Sequence, residues 1–589
     1  MLDLKIINAM IVDGSGKNRF AGAIGIRNGR ISAVGEVTEE ARETIDAHGQ
    51  IASPGFIDAH THYDAQVFWD PHLTPSCFHG VTTVVGGFCG FSIAPMTADA
   101  ATYIKPMLAR VEGIPLETLD QAVPWTSWQS FGQFLDRLEG RVGLNVGFFC
   151  GHSALRRIVM GDRAVGKKAT GYELAHMKRL LAQSLDQGAM GFSTTISPSH
   201  LDGDGNAVPS RWADYSELLA LASVVRDFEG TGLEILPDLD FPPEVVELMA
   251  DFSLAGQRPV NWNALAVTGH DMKAAARRAE KMLGVSDYAR ERGGEVIALT
   301  IPGPPNVYLN LNDGIGFSSL PGLWRNIFLL PVTDRIERFR DPDIRRQLSA
   351  DAASVPWDSG LAFTASFSDY FVATVSSPAN RNHVGRPVRD IMAETGRDAI
   401  DVLLDIAIED ELRTTFLPDT GGEDADAYAL RARLWRDDRT LIGASDAGAH
   451  IDIIDTFAFS STLLQRGVRD HAVISLEEAV NLITHRIARY FGLIDRGLIA
   501  PGHHADIVIF DEQYIGRGPT ILRADLPGGA SRLYAEATGI PQVFVNGVQI
   551  IRDGELTEAL PGKVLRSGKD THTVHIGELR RADITWARV

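Results

Sequence analysis

Cysteine is scarce in this chain: 589 residues hold only Cys77, Cys89 and Cys150. An odd, sparse set cannot build a disulfide framework and fits a reducing compartment, so a cytoplasmic setting is the expectation. No uninterrupted apolar run is long enough to span a bilayer. The opening Met1-Leu-Asp-Leu-Lys-Ile-Ile-Asn lacks the basic leader and apolar segment of a secretory signal. Positive charge is also short, 56 Lys and Arg against 76 Asp and Glu, a net charge of -20. Neutralising phosphates needs clustered Lys and Arg, which argues against a nucleic-acid partner. No internal repeat or low-complexity tract is visible. What remains, 44% hydrophobic and 22% charged residues, is the composition of a globular protein too long for one ordinary compact domain.

The informative segment is Ser53-Pro-Gly-Phe-Ile-Asp-Ala-His60-Thr-His62-Tyr-Asp. An apolar strand runs into two histidines one residue apart. Alternate side chains of a strand share a face, so His60 and His62 can present two imidazoles to one metal ion. Two further apolar strands end in candidate ligands: Val81-Thr-Thr-Val-Val-Gly-Gly-Phe-Cys89-Gly-Phe, and Leu441-Ile-Gly-Ala-Ser-Asp446-Ala-Gly-Ala-His450. Cys89, with a glycine following it and another two positions before, reads as a ligand rather than a buried small hydrophobe. Cys77 and Cys150 lack that context and read as packing residues.

Along the chain, strand and helix patterns alternate, with strands expected at about 53–60, 81–89, 143–151, 188–195, 232–238, 258–265, 294–301 and 440–446. Helices are expected at Gly171–Leu185, from Asp271 through Ala289, and from Asp398 to Leu412. Eight such strands suit an α/β, (β/α)8 TIM-like barrel, whose active site lies at the C-terminal strand ends. Residues 54–499 are its expected extent. The interval at about 302–439 is too long for a loop and reads as an insertion, either a lid over the mouth or surface decoration. Both termini hold short strands with hairpin signals, Asn28-Gly29 and Asn546-Gly547. Residues 1–53 and 500–589 together are expected to form one small β-sandwich.

These motifs resemble the amidohydrolase superfamily, and within it the N-acyl-D-amino-acid deacylase branch: the His-x-His strand, the cysteine ending the second strand, and the Gly443-Ala-Ser-Asp446 turn. Gly151-His152-Ser-Ala-Leu-Arg156, Gly188-Ala-Met-Gly-Phe-Ser193-Thr and Val545-Asn-Gly-Val-Gln-Ile-Ile-Arg-Asp-Gly554 are similar to the family as well. The resemblance implies a metal site of His60, His62, Cys89 and Asp446, with Asp446 also the catalytic base. Imidazole, thiolate and carboxylate together suit Zn2+, which makes water nucleophilic near neutral pH and polarises a carbonyl. It implies hydrolysis of a linear amide, that of an N-acyl-amino acid or a related acylated amine, with a small molecule as partner. Neither nucleic acid nor membrane is implied, and a homo-oligomer stays open.

Relatives supply a histidine from each of the fifth and sixth strands. Here those ends read Gly232-Leu-Glu-Ile-Leu-Pro-Asp238 and Arg258-Pro-Val-Asn-Trp-Asn263. One ion, a second ion held weakly by oxygen from Asp238 or Asn263 or by His270 folding back, and a vestigial site all stay open. His152, Asn263, Arg381 and His450 are the candidate substrate-binding residues, Arg381 as a clamp for a carboxylate. His200 sits in polar surroundings and reads as surface. The rival readings are a hydantoinase-like cyclic-amide hydrolase, disfavoured by Cys89, and a non-catalytic barrel.

Overall fold

The computed structural model describes residues 1–312, 314, 316–356 and 362–581. Three parallel strands, Phe56–Asp58, Val81–Gly86 and Asn145–Phe148, pair in that order. A second parallel set, Cys150–Gly151, Gly191–Thr195, Gly232–Leu236, Val260–Leu265, Val296–Thr300 and Thr440–Ile442, also pairs in chain order. Only Phe149 separates Phe148 from Cys150, so the expected third strand belongs to both sets. A parallel bridge joins Thr61 to Ala447, and the His62 N–H donates to the Ala447 carbonyl at 2.8 Å. The last strand is thereby tied back to the first. These strands are buried along almost their whole length, as parallel strands covered by helices on their outer side must be.

The strands are shorter than expected at both ends, and the differences have local causes. Residues 53 and 54 belong to a separate strand, Ile51–Pro54, which pairs with Ile507–Phe510. Gly55 marks the break. A Cβ there would lie 2.1 Å from the Thr82 hydroxyl oxygen, so only glycine lets the two chains pass. At the other ends, Cys89 and Asp446 sit beyond Gly86 and Ile442 rather than on the strands. Pairing stops at Gly87 and Gly443, which take φ of 77° and 148°, and Cys89 and Asp446 themselves take positive φ, 54° and 50°.

Helices form where capping and apolar spacing agree. Gly171–Asp186 begins with a reciprocal capping box between Thr170 and Glu173. Asp271 caps Met272–Glu291, and Ala399–Glu409 falls within the expected third segment. The interval 302–439 contains a three-stranded antiparallel sheet of Leu309–Asn310, Thr415–Pro418 and Tyr370–Thr374. It has its own apolar cluster around Phe317, Trp324, Phe339 and Leu403, to which Ile453 is added from outside.

A nine-stranded sheet combines the two ends of the chain. Leu2–Ile11 lies between Phe20–Arg27 and Ile51–Pro54 and also pairs with Ala41–Asp46. Ile51–Pro54 continues through Ile507–Phe510 to Gln542–Val545 and Val548–Arg552. The two hairpin turns are Asn28-Gly29 (φ 51° and 73°) and Asn546-Gly547 (φ 48° and 78°), the left-handed pairs such turns require. Residues beyond Pro561 leave this sheet. Lys563 and Leu565 hydrogen-bond to Val146 of the parallel set, drawn there by the buried Val564 and Leu565 side chains. No helix among the described residues is long and apolar enough to cross a membrane.

Candidate metal centre

His60 and His62 follow the first parallel strand in a stretch that stays extended because Thr61 bonds to Val85 on one side and His62 to Ala447 on the other. Their rings therefore face the same way, with centroids 5.3 Å apart. His60 Nε2 lies 3.2 Å from Asp446 Oδ1 and 3.5 Å from Cys89 Sγ. His62 Nε2 lies 3.7 Å from the same Asp446 oxygen. One donor atom from each of His60, His62 and Cys89 fits within a mutual 4.8 Å. All three side chains are buried, while Asp446 is 22% exposed and closes the cluster on its open side.

The loop that holds Cys89 is fixed from three directions. Gly87 packs where a Cβ would meet the Phe149 carbonyl at 2.2 Å. Ser193 donates its hydroxyl to the Gly87 carbonyl at 2.6 Å and accepts the Gly90 N–H at 3.1 Å. The Cys89 N–H donates to Glu234 Oε2 at 3.0 Å. The Gly-Phe-Cys-Gly and Gly-Phe-Ser-Thr sequences are thus two halves of one clamp.

Behind the donor atoms stands an unusual amount of buried negative charge. Glu112 Oε1 lies at ion-pair distance from His62 Nδ1, 3.2 Å, where a carboxylate can bias the ring of a metal-binding histidine. Asp64 accepts the Gly87 N–H at 3.0 Å, and Asp58 accepts the Ser445 hydroxyl at 2.7 Å. Burial pushes the Asp58 carboxyl up to about 8 and Asp64 to about 6, and raises Glu112 and Glu234. Burial would raise Asp446 too, but His62, His60 and His450 hold it well below the usual carboxylate range. Burial lowers His60 to about 3. It works against His62 as well, yet Glu112 and Asp446 bring that ring up to about 9. Five carboxyls, Asp58, Asp64, Glu112, Glu234 and Asp446, converge here, and the positive charge acting on them comes from imidazoles. A divalent cation fits such a pocket, because it supplies the missing positive charge and accepts the converging N, S and O lone pairs. The residues placed to hold it are His60, His62, Cys89 and Asp446.

The fifth and sixth strand ends contribute differently from one another. Asn263 Nδ2 donates to Asp446 Oδ1 at 2.8 Å. Asp238 instead accepts the N–H of Asp240, and His270 is exposed, 3.7 Å from Asp419. Neither reaches the cluster. The remaining acid from this side is Glu234, in the middle of the fifth strand.

Other candidates are dispersed. His152 is fully buried and uses both ring nitrogens, Nδ1 with Thr194 and Nε2 with Glu217, each at 2.9 Å. Arg156 pairs with the same Glu217, so this motif is a closed network rather than an open substrate contact. Arg381 is exposed on the short helix Pro378–His383 of the insertion and does not line the cavity beside the cluster. That cavity, about 710 Å3, is lined by Arg110, Ile114, Leu116, His200, Leu201 and His450 among others. Its wall at Gly113 adjoins Glu112. His450 does reach it, half-buried at φ 47°, and His200 is buried on the same wall rather than at the surface. A second depression, about 570 Å3, lies between the insertion and Arg517; none of the four donor residues lines either cavity, and Gly113, next to Glu112, with His450 brings the first to the side of the cluster.

The family model described as "Amidohydrolase family" matches residues 43–551. This chain belongs to the amidohydrolase family. An uncharacterized protein of Mycobacterium tuberculosis is 28% identical, over 96% of both chains. An N-acyl-D-aspartate deacylase of Alcaligenes xylosoxydans xylosoxydans is 27% identical, covering 96% of this chain and 95% of its own. Among solved structures, the N-acyl-D-glutamate deacylase of Bordetella bronchiseptica, complexed with zinc and a phosphonate mimic of the tetrahedral intermediate, superposes with a TM-score of 0.63. It is 26% identical over 96% of this chain and all of its own.

Proposed function

We propose that this protein is a zinc-dependent deacylase that cleaves the linear amide of an N-acyl-amino acid of the D series, or of a related acylated amine. The observation that carries the reading is the meeting of His60, His62, Cys89 and Asp446 in a buried, acid-rich pocket. The relatives named above support the substrate class. The parallel strands, paired in chain order and tied from last to first, are read as a (β/α)8 barrel. The barrel lies within residues 54–499, and the terminal segments, residues 1–53 and about 500–556, build the accessory β-domain, with the described residues beyond Pro561 packing back on the barrel. Three free, buried cysteines agree with a cytoplasmic setting.

A zinc ion held by these residues would lower the pKa of water and polarise the amide carbonyl. The protein's own groups do the rest. Asp446 takes a proton from the attacking water and returns it to the nitrogen as the C–N bond breaks, leaving a carboxylate and a free amine. Close to the His60 and His62 rings, Asp446 is held as a carboxylate with lone pairs that can accept. Asn263 fixes the orientation of the carboxylate by donating to Oδ1. Glu112 orients His62, and Glu234 with Ser193 holds the Cys89 loop. His450 faces the substrate from the cavity wall, and His152 braces the end of the fourth strand through Thr194. One ion is the better count, since the fifth and sixth strands offer only Glu234 and Asn263 where a second would need ligands.

Metal analysis followed by turnover of N-acetyl-D- and L-amino acids and of a hydantoin tests this reading. One zinc with release of free D-amino acid is expected. Ring opening alone would favour a cyclic-amide hydrolase, and a metal-free, inactive protein would favour a non-catalytic barrel.

A further inference from the structure

The cleft between the insertion and Arg517, about 570 Å3, falls within the roughly 300–1,000 Å3 of small-molecule pockets. Ile301 and Pro304, just past the seventh parallel strand, line it together with Phe371 and Ala373 of the insertion strand Tyr370–Thr374, Leu417 and Phe459. These give it an apolar wall. Its polar lining is already built. Asp455 is 1% exposed, and its Oδ2 accepts from Arg517 at 2.8 Å, Thr520 at 2.6 Å and Asn306 at 3.2 Å. The buried Tyr428 hydroxyl has no hydrogen-bond partner. It stands 3.8 Å from where a Cβ at Gly303 would lie, behind a bare part of the wall.

Two charges of opposite sign remain in this lining. Asp455 neutralises Arg517, whereas Arg466 meets Asp470 at 3.4 Å, and Glu423 makes no ion pair among the described residues. Both Arg466 and Glu423 act on the Tyr428 hydroxyl, so the two charges stand near one another. A ligand with a single charge would satisfy one of them and be repelled by the other. A zwitterion answers both, the carboxylate on the guanidinium and the ammonium on Glu423. An apolar side chain then rests on the Phe371 side. The cleft also reaches the support of the donor cluster. Thr456 lines it and donates its hydroxyl to the carbonyl of Ser445, the residue before Asp446.

We propose that this cleft is a second, non-catalytic site, which takes a free amino acid with an apolar side chain and acts on the donor cluster through Thr456. Binding there does not depend on the deacylase reading.

The test titrates the full, zinc-loaded chain by calorimetry, as wild type, Arg466→Met, Glu423→Gln and Ala373→Phe, with the thermal midpoint as folding control. The probes are L- and D-leucine, isocaproate (the carboxylate without the ammonium) and isopentylamine (the ammonium without the carboxylate). Leucine of one hand or both should bind about tenfold more tightly than either analogue. Each charge variant should weaken it about tenfold, in the range of a charge-assisted hydrogen bond. Ala373→Phe, which fills the cleft, should abolish binding. If one variant fails to fold, the other two carry the test. Saturating leucine should shift the zinc affinity of wild type about fivefold and leave that of Arg466→Met unchanged. No binding of millimolar leucine to wild type, equal binding of isocaproate, or binding indifferent to the folded variants overturns the site. Unchanged zinc affinity with leucine bound overturns the action on the donor cluster. A chain that takes up no zinc overturns that action together with the metal reading. Leucine bound as expected by a protein that deacylates nothing overturns the deacylase reading and leaves this site standing.

Discussion

Replacing Glu112 by glutamine separates a metal-orienting carboxylate from an ordinary buried acid. Glu112 is 2% exposed, and its Oε1 lies 3.2 Å from His62 Nδ1. Glutamine keeps the volume and removes the charge. A charge pair at that distance has a gross attraction of about 5 kcal/mol at an effective dielectric of ~20, most of it offset by the desolvation of both groups. Outer carboxylates of this kind contribute about 10- to 100-fold in metal affinity, or about 1.4–2.7 kcal/mol. The same substitution relieves repulsion from Asp446 and Asp64, two of the charges that raise Glu112. The zinc-free protein should therefore be at least as stable as wild type. Competition with a zinc-binding dye gives the affinity, and urea unfolding of the chelated protein gives the stability. Zinc affinity within threefold of wild type would refute the role assigned to Glu112. Weakened affinity together with a destabilised zinc-free protein would show that glutamine had broken the fold instead.

Three further outcomes follow from single contacts. Asn263→Ala removes the 2.8 Å hydrogen bond to Asp446 and should lower kcat by about 10- to 100-fold, the worth of one bond to a charged acceptor; an unchanged kcat on the best N-acetyl-D-amino acid would count against an orienting role. Gly55→Ala forces a Cβ into Thr82 and should cost about 1–3 kcal/mol, as overpacking does, read as a lower urea midpoint. His79 is fully buried, its rings held between the Ser461 hydroxyl and the Ala535 carbonyl, and burial lowers its pKa to about 3. Because the unfolded chain binds the proton near pH 6.5 and the folded protein does not, stability is full above that pH and falls below it, levelling off near pH 3. Between pH 7.5 and 5 the loss is about 2 kcal/mol. His79→Gln should remove that share of the acid sensitivity, and identical pH profiles for variant and wild type would contradict it.

Much of the fold was legible because periodicity and turn chemistry agree with it. Asn28-Gly29 and Asn546-Gly547 make the hairpins their composition demands, and apolar runs mark the parallel strands. Strand ends were misjudged because the apolar pattern continues through Phe88 and Ala444, while positive φ at Gly87 and Gly443 ends pairing earlier. The donor residues could be named from sequence since each ends an apolar run. Their supporting groups could not. Glu112 follows a helix and carries no motif, and only folding brings it to His62. Glu234 did leave a signal, a lone acid in Gly-Leu-Glu-Ile-Leu, which a strand covered on both sides tolerates only with partners. His200 looked like surface because its polar loop folds back over the cavity. Arg381 read as a clamp because a guanidinium fork suits a carboxylate, yet on the short helix Pro378–His383 its side chain is exposed.

X-ray absorption at the zinc edge of the purified, zinc-reconstituted protein tests the centre most directly. One sulfur at about 2.3 Å with nitrogen and oxygen at about 2.0–2.1 Å, and one ion per chain, is the predicted result, with the sulfur lost in Cys89→Ser. A shell of oxygen and nitrogen alone in wild type, or a spectrum indifferent to Cys89→Ser and His60→Ala, would contradict the site on which the proposed chemistry depends.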